Sequence, residues 1–275
     1  MDVALQQLHM PVSDVVQRAL SIHEPEEVRP STSGGFDHRW QRFFAACGVT
    51  FAILTGVGLE AFWPQPPSFG LTATATAHYY AVHQTGFLIG ITLITVGMAF
   101  LLAWTVQYGT MLWRLDRVCP DGGSTVVVAV TMASLLASPI LLSFDLAIFS
   151  IGAFRPTSTS PDVTRALSDI AWIGSELIWP MLAAGMALGG LLMLRTRHQA
   201  GGFPAWLGYY SLVAAAIELF QIPIIFVKTG PFSASGAFAW YSTTGSWGVW
   251  AIALSAVMWR TLGTRGDLTT PSRTS

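Results

Sequence analysis

The chain alternates long apolar runs with short polar breaks. Six runs, each close to the roughly 20 residues that cross a bilayer, fall at about 43–62, 80–104, 126–151, 170–194, 206–227 and 239–262. The second is expected to stay helical to about residue 115. Polar backbone in lipid has to bond within its own segment, so such runs form helices. The pattern predicts an all-α polytopic membrane protein, a bundle of six transmembrane helices over 43–262, with cytoplasmic tails at 1–42 and 263–275. The loops are short and leave no room for a separate soluble module.

Composition agrees. Of 275 residues 52% are hydrophobic and only 11% charged, against about 25% charged in a soluble domain; mean hydropathy is +0.52. The lipid bilayer is thus the first expected partner. A net charge of -1 and the lack of a basic stripe or binding motif argue against a nucleic-acid partner. The opening MDVALQQLHMPVSDVVQRAL lacks a basic stretch followed by a long apolar core, so no cleavable signal is expected. Val12, Val15, Val16, Ala19 and Leu20 have the spacing of a short amphipathic surface helix. The HEPEEVRPSTSGG that follows reads equally well as part of a disordered tail.

Orientation comes from Lys and Arg. One side collects eleven: Arg18, Arg29, Arg39, Arg42, Arg114, Arg117, Arg195, Arg197, Arg260, Arg265 and Arg273. The other holds three, Arg155, Arg165 and Lys228. Both termini are expected in the cytoplasm, as an even number of spans requires, and the membrane is expected to be a plasma membrane, in a bacterium the inner one. Cys47 and Cys119 then lie on the reducing side and lack CxxC spacing, so neither a disulfide nor a zinc site is expected.

Glycines fall where helix packing wants them, at Gly86, Gly90 and Gly97 in the second run and at Gly185 and Gly189 in the fourth. Close packing inside one bundle is the simpler use of such lines, a homodimer seam the other. Trp63, Trp104, Trp113, Trp206 and Trp259 lie near span ends and read as interfacial anchors without chemistry.

Candidate chemistry sits in the outer half of the runs. The fifth, within SLVAAAIELFQIPIIFVKTGPF (Ser211 to Phe232), carries Glu218, Gln221 and Pro223. An ionised carboxylate in hydrocarbon costs roughly 2.5 kcal/mol or more, so Glu218 needs a partner, a water or a proton. At similar depth lie Glu60, His83 with Gln84, Asp145, Asp169 and Glu176. Thr131, Ser134, Ser138 and Asp145 form a polar stripe; Asp169 and Glu176 share a face, as do Ser211, Glu218 and Gln221. Helices in lipid turn such faces together, so an outward-opening polar cavity lined by spans two to five is expected. Its candidate ligand- or proton-binding residues are Glu218, Glu176, Asp145, His83, Gln221, Asp169 and Glu60. Pro139, Pro180 and Pro223 fall on the same helices, and Pro180 removes the hydrogen bond to the carbonyl of Glu176. Prolines of this kind either open a cation or proton site or only kink a helix.

No HExxH or paired-His motif, GxSxG, SxxK or phosphate loop is present, so neither a metal nor another cofactor is expected, and the balance leans against an enzyme without closing that reading. At FPAWLGYYSL (Phe203 to Leu212) and FVKTGPF (Phe226 to Phe232) the chain resembles a family of bacterial integral membrane proteins of unknown function, mainly actinobacterial. The likeness runs from about Arg42 to Arg260 and takes in AFWPQPPS and GAFRP. It implies a six-span helical protein and carries over no site residues. Three functions stay open: binding or transport of a small cation, proton or amphipathic molecule through the acidic cavity; a structural or accessory subunit of a membrane complex; and, last, a membrane-embedded enzyme using His83 and the carboxylates.

Overall fold

Three of the long helices start behind a hydroxyl side chain. Thr72, Ser124 and Ser160 each accept a hydrogen bond from the backbone N–H three residues on, at 3.3, 3.4 and 3.4 Å. Each satisfies an amide that a helix start leaves open. After Ser160 come Pro161, pre-set for a first turn, and Asp162, which complements the helix dipole. Pro204 starts the next helix without a side-chain cap.

The computed structural model describes residues 34–63, 67, 69–119, 123–233, 236 and 238–267. Helix α1 (Gly34–Val57) runs into a π-helical turn (Gly58–Phe62). Then follow α2 (Ala73–Arg117), α3 (Thr125–Phe154), α4 (Pro161–Thr196) and α5 (Ala205–Leu219), which tightens into a 3-10 turn (Ile222–Phe226). A second π-helical turn (Phe238–Thr243) leads into α6 (Thr244–Asp267). Among the described residues every regular element is helical. Five stretches there are long and apolar enough to cross a membrane: His38–Phe62, Ala73–Arg117, Thr125–Phe154, Pro161–Thr196 and Ala205–Phe226.

The described helices from His38 on belong to one packed unit. Its outside is apolar: Val82, Ile89 and Val96, seven apart on α2, are all exposed, as are Val126, Val130, Ile140, Phe144 and Ile151 on α3. A soluble protein rarely shows such continuous apolar faces; a lipid-facing one requires them. The class is therefore a helical bundle of multi-pass membrane type. Helix α4 packs against α2, α3 and α5 and is the most enclosed of the five candidate crossings.

Some expectations shift. Helix α2 starts at Ala73, before the second apolar run, and is 45 residues long, about 67 Å, so it projects well beyond any hydrocarbon core. Pro139 and Pro180 leave α3 and α4 continuous. The fifth run is not one helix: α5 stops at Leu219, and Pro223, lacking an N–H, cannot bond its carbonyl. The chain tightens instead, with the Gln221 N–H on the Glu218 carbonyl (3.2 Å) and the Ile224 N–H on that of Gln221 (3.0 Å). The amphipathic segment considered at Val12–Leu20 lies outside the described residues, as do Arg18, Arg29, Pro64, Pro66 and Arg273.

Both glycine lines are used inside the bundle. A Cβ on Gly90 would meet the Gly58 carbonyl at 2.7 Å, and one on Gly86 the Phe62 carbonyl at 2.9 Å. Gly185 makes room for Leu135 of α3 and Gly189 for the Tyr108 hydroxyl of α2. Where α4 crosses α5, Gly190 lies 2.8 Å from the Gly208 carbonyl and Gly208 3.0 Å from that of Gly190, by the same measure. Backbone cannot yield as a side-chain end can. Gly190→Ala should therefore lower stability by about 1–3 kcal/mol, whereas Gly56→Ala, with nothing within 4 Å, should not. Thermal unfolding in detergent measures both; equal midpoints would contradict the close crossing.

Candidate functional site

One face of α4 builds a wall of a half-open cavity. Trp172, Ser175, Glu176 and Trp179 follow each other at helical spacing, and all four line a cavity of ≈ 80 Å³. The other elements line the rest of it: Thr55 and Leu59 from α1 and its π-turn, Trp63 just beyond, Ile94 from α2, Leu142, Leu146 and Phe149 from α3, Gln221 after α5, and Thr244 and Trp247 from α6. The walls are mainly indole and hydrocarbon, with one carboxyl group among them.

The Trp179 indole hydrogen-bonds the Glu176 carboxyl, and the other oxygen, Oε2, is buried without a hydrogen-bond partner in the protein. Glu218 stands behind this wall, fully buried. Its Oε1 accepts a hydrogen bond from Ser246 Oγ of α6 at 2.7 Å, and its Oε2 has no hydrogen-bond partner. The two carboxyls are close enough to interact electrostatically. Arg165 pairs with Asp169 at 3.7 Å and Arg155 lies 5.5 Å from the Phe154 ring centroid. A buried carboxyl without a counter-charge is costly as an anion, so each needs a proton, a water or a cation.

Helix α6 holds this arrangement through hydroxyl–indole bonds. Trp250 Nε1 donates to Ser211 Oγ and Trp104 Nε1 to Ser255 Oγ, each at 2.8 Å. At its far end His38 Nε2 meets the Leu262 carbonyl at 2.6 Å and the Arg42 guanidinium lies 4.2 Å above the Trp259 ring. These ties seat Trp247 against Phe51 (4.7 Å between ring centroids) and Trp179 (5.7 Å).

The seven sequence-predicted residues separate. Glu176 and Gln221 line the cavity and Glu218 stands next to them. Asp145 is buried nearby on α3, so tightly set against α4 that a Cβ on Gly174 would come 2.5 Å from its Oδ1. His83 is exposed beside Tyr79, Asp169 is half-exposed in its ion pair, and Glu60 is exposed in the π-turn; none of the three lines the cavity. They share depth with the acids but sit on outward phases of their helices. The cavity also draws on α1 and α6 as well as spans two to five, and it is aromatic more than polar. Thr131 and Ser138 turn their hydroxyls onto their own helix, bonding the Val127 and Ser134 carbonyls.

Trp63, expected at the membrane surface, is buried in the cavity wall, and Trp104 is fully buried in the core; Trp113, Trp206 and Trp259 are exposed as an interfacial belt requires. The W-x-x-S-E-x-x-W pattern at 172–179 was the available signal for the α4 face. Among the described residues no three His, Cys, Asp or Glu side chains come together to hold a metal ion. Comparison with family models, with curated proteins and with solved structures finds no match for this chain.

Removing Ser246 tests how far Glu218 belongs to the framework. Ser246→Ala strips the only hydrogen bond described for that carboxyl and should cost about 1–2 kcal/mol. Ser158→Ala, in an exposed turn, should leave the unfolding midpoint unchanged. No difference between the two would mean that the Ser246 contact does not hold Glu218 in place.

Proposed function

We propose that the protein binds, or carries across the membrane, a small cation, a proton or an amphipathic molecule, in the cavity that Glu176 lines. The observation that carries this is the buried Oε2 of Glu176, without a hydrogen-bond partner beside a half-open space of ≈ 80 Å³. A carboxyl left half-satisfied in an apolar bundle costs stability, and such groups are kept mainly where they act on something. Glu218 and Gln221 back it, and Asp145 bounds the same region.

Six crossings go with this proposal. Helix α6 is 24 residues long, about 36 Å, and has no charge between Thr244 and Val257; its Trp, Ser and Gly content lowers its apolar character without adding charge. The eleven-to-three distribution of Lys and Arg then favours cytoplasmic termini in a bacterial plasma membrane. Membership in the bacterial membrane family that the FPAWLG and KTGPF motifs suggest is likewise a proposal. In this chain those motifs have framework roles. Phe203 is buried, Pro204 starts α5, Gly208 admits α4, and Gly230 takes a φ of 92° in the turn.

The accessory-subunit alternative draws on the Ser246–Glu218 bond, which makes one of the two acids part of the helix framework. A screen separates the two: the melting temperature of purified protein across pH, inorganic and organic cations and amphiphiles. A ligand at about 100 times its Kd adds roughly 2.7 kcal/mol. At least one class should raise the melting temperature of the wild type and have no effect on Glu176→Gln. Identical responses in both proteins would favour the accessory role.

A further inference from the structure

We infer that the occupant of this cavity is an organic ammonium group, a methylated amine head held by indole faces and the Glu176 carboxylate; this rests on the binding function proposed above and names its ligand class. Of the eleven tryptophans in the chain, four line this one space: Trp63, Trp172, Trp179 and Trp247, joined by Phe149. They form two groups. Trp63, Phe149 and Trp172 have ring centroids 5.0 to 5.9 Å apart with their planes steeply inclined. Trp179 and Trp247 meet at 86° and 5.7 Å. Five rings of differing orientation thus border one space, and a ligand there meets aromatic side chains from more than one helix. Glu176 lies between Trp172 and Trp179 on the same face of α4.

The chemistry of such walls is selective. The negative face of an indole attracts cations that shed water cheaply, and methylated ammonium ions are the usual guests of aromatic cages. A hard metal ion wants six or more oxygen ligands, whereas this cavity presents one carboxyl and a few side-chain amide and hydroxyl groups. An uncharged guest would fill the space but leave Glu176 without a counter-charge. The space is half open, so it takes a compact head group with its substituents toward the opening. The same head occurs on free quaternary amines and on phospholipids.

Isothermal titration of the full chain in maltoside detergent, with tetramethylammonium chloride as probe, tests this. Tert-butanol serves as the neutral comparator of similar shape and sodium chloride as the inorganic one. Saturable binding of tetramethylammonium is expected, about tenfold weaker in Trp179→Phe and lost in Glu176→Gln. Both variants are first checked for an unchanged elution profile, with Trp172→Phe replacing either one that fails to fold. Displacement of the probe by a short-chain phosphatidylcholine assigns the head to a lipid, and no displacement assigns it to a free cation; each outcome agrees with ammonium recognition. Equal binding of tert-butanol overturns the inference, because the space is then merely apolar. Glu176-dependent binding of sodium or protons without tetramethylammonium overturns it too, and leaves the binding function standing. If no probe binds and the earlier screen finds wild type and Glu176→Gln identical, both fall.

Discussion

Hydrocarbon accepts no hydrogen bonds, and this single constraint organises the whole bundle. Hydroxyls turn back onto their own helices, as Thr131, Ser138 and Ser211 do on the Val127, Ser134 and Leu207 carbonyls. Indoles cross to serine hydroxyls on neighbouring helices, and this is how α6 is fastened to α2 and α5. Only a group that can be neither turned back nor bridged stays exceptional. Among the described residues Glu176 and Glu218 are buried carboxyls whose Oε2 atoms the framework leaves without hydrogen-bond partners.

The two acids differ in consequence. Glu218 is enclosed by protein, with a serine from α6 on one oxygen, and its role is continuous with the packing of α5 on α6. Glu176 faces a space. That space exists because five bulky aromatic side chains meet around it without filling it, and because glycines elsewhere bring the backbones close. At Gly190 and Gly208 α4 and α5 touch backbone to backbone, while the Trp172–Trp179 stretch of α4 carries large side chains that line the cavity.

Much of the helical framework was legible as apolar run length. The run at 170–194 marks the heart of α4, and the Ser160–Pro161 pair fits its start. The sixth run is the weaker case, since α6 lies outside the stretches that length and composition alone pick out. Its Trp247 and Trp250 are buried by tertiary contact rather than by lipid. At the site, the positions of Glu176, Glu218 and Gln221 along their runs could be counted, and the structure buries all three side chains. Rotation could not. His83, Asp169 and Glu60 lie at comparable depth but face outward, because depth along a helix says nothing of its phase against neighbours. Trp63 misled for a related reason: a tryptophan at a span end reads as an anchor, and only the π-turn at Gly58–Phe62 and the close approach of Gly90 show that it turns inward.

The central claim is that Glu176 faces a ligand and not merely a void. Native mass spectrometry of the protein taken from its own membrane in mild detergent tests this most directly. A discrete added mass is expected on the wild type and absent from Glu176→Gln at the same detergent load. Wild type and variant both running at the bare chain mass, or carrying the same adducts, would contradict it.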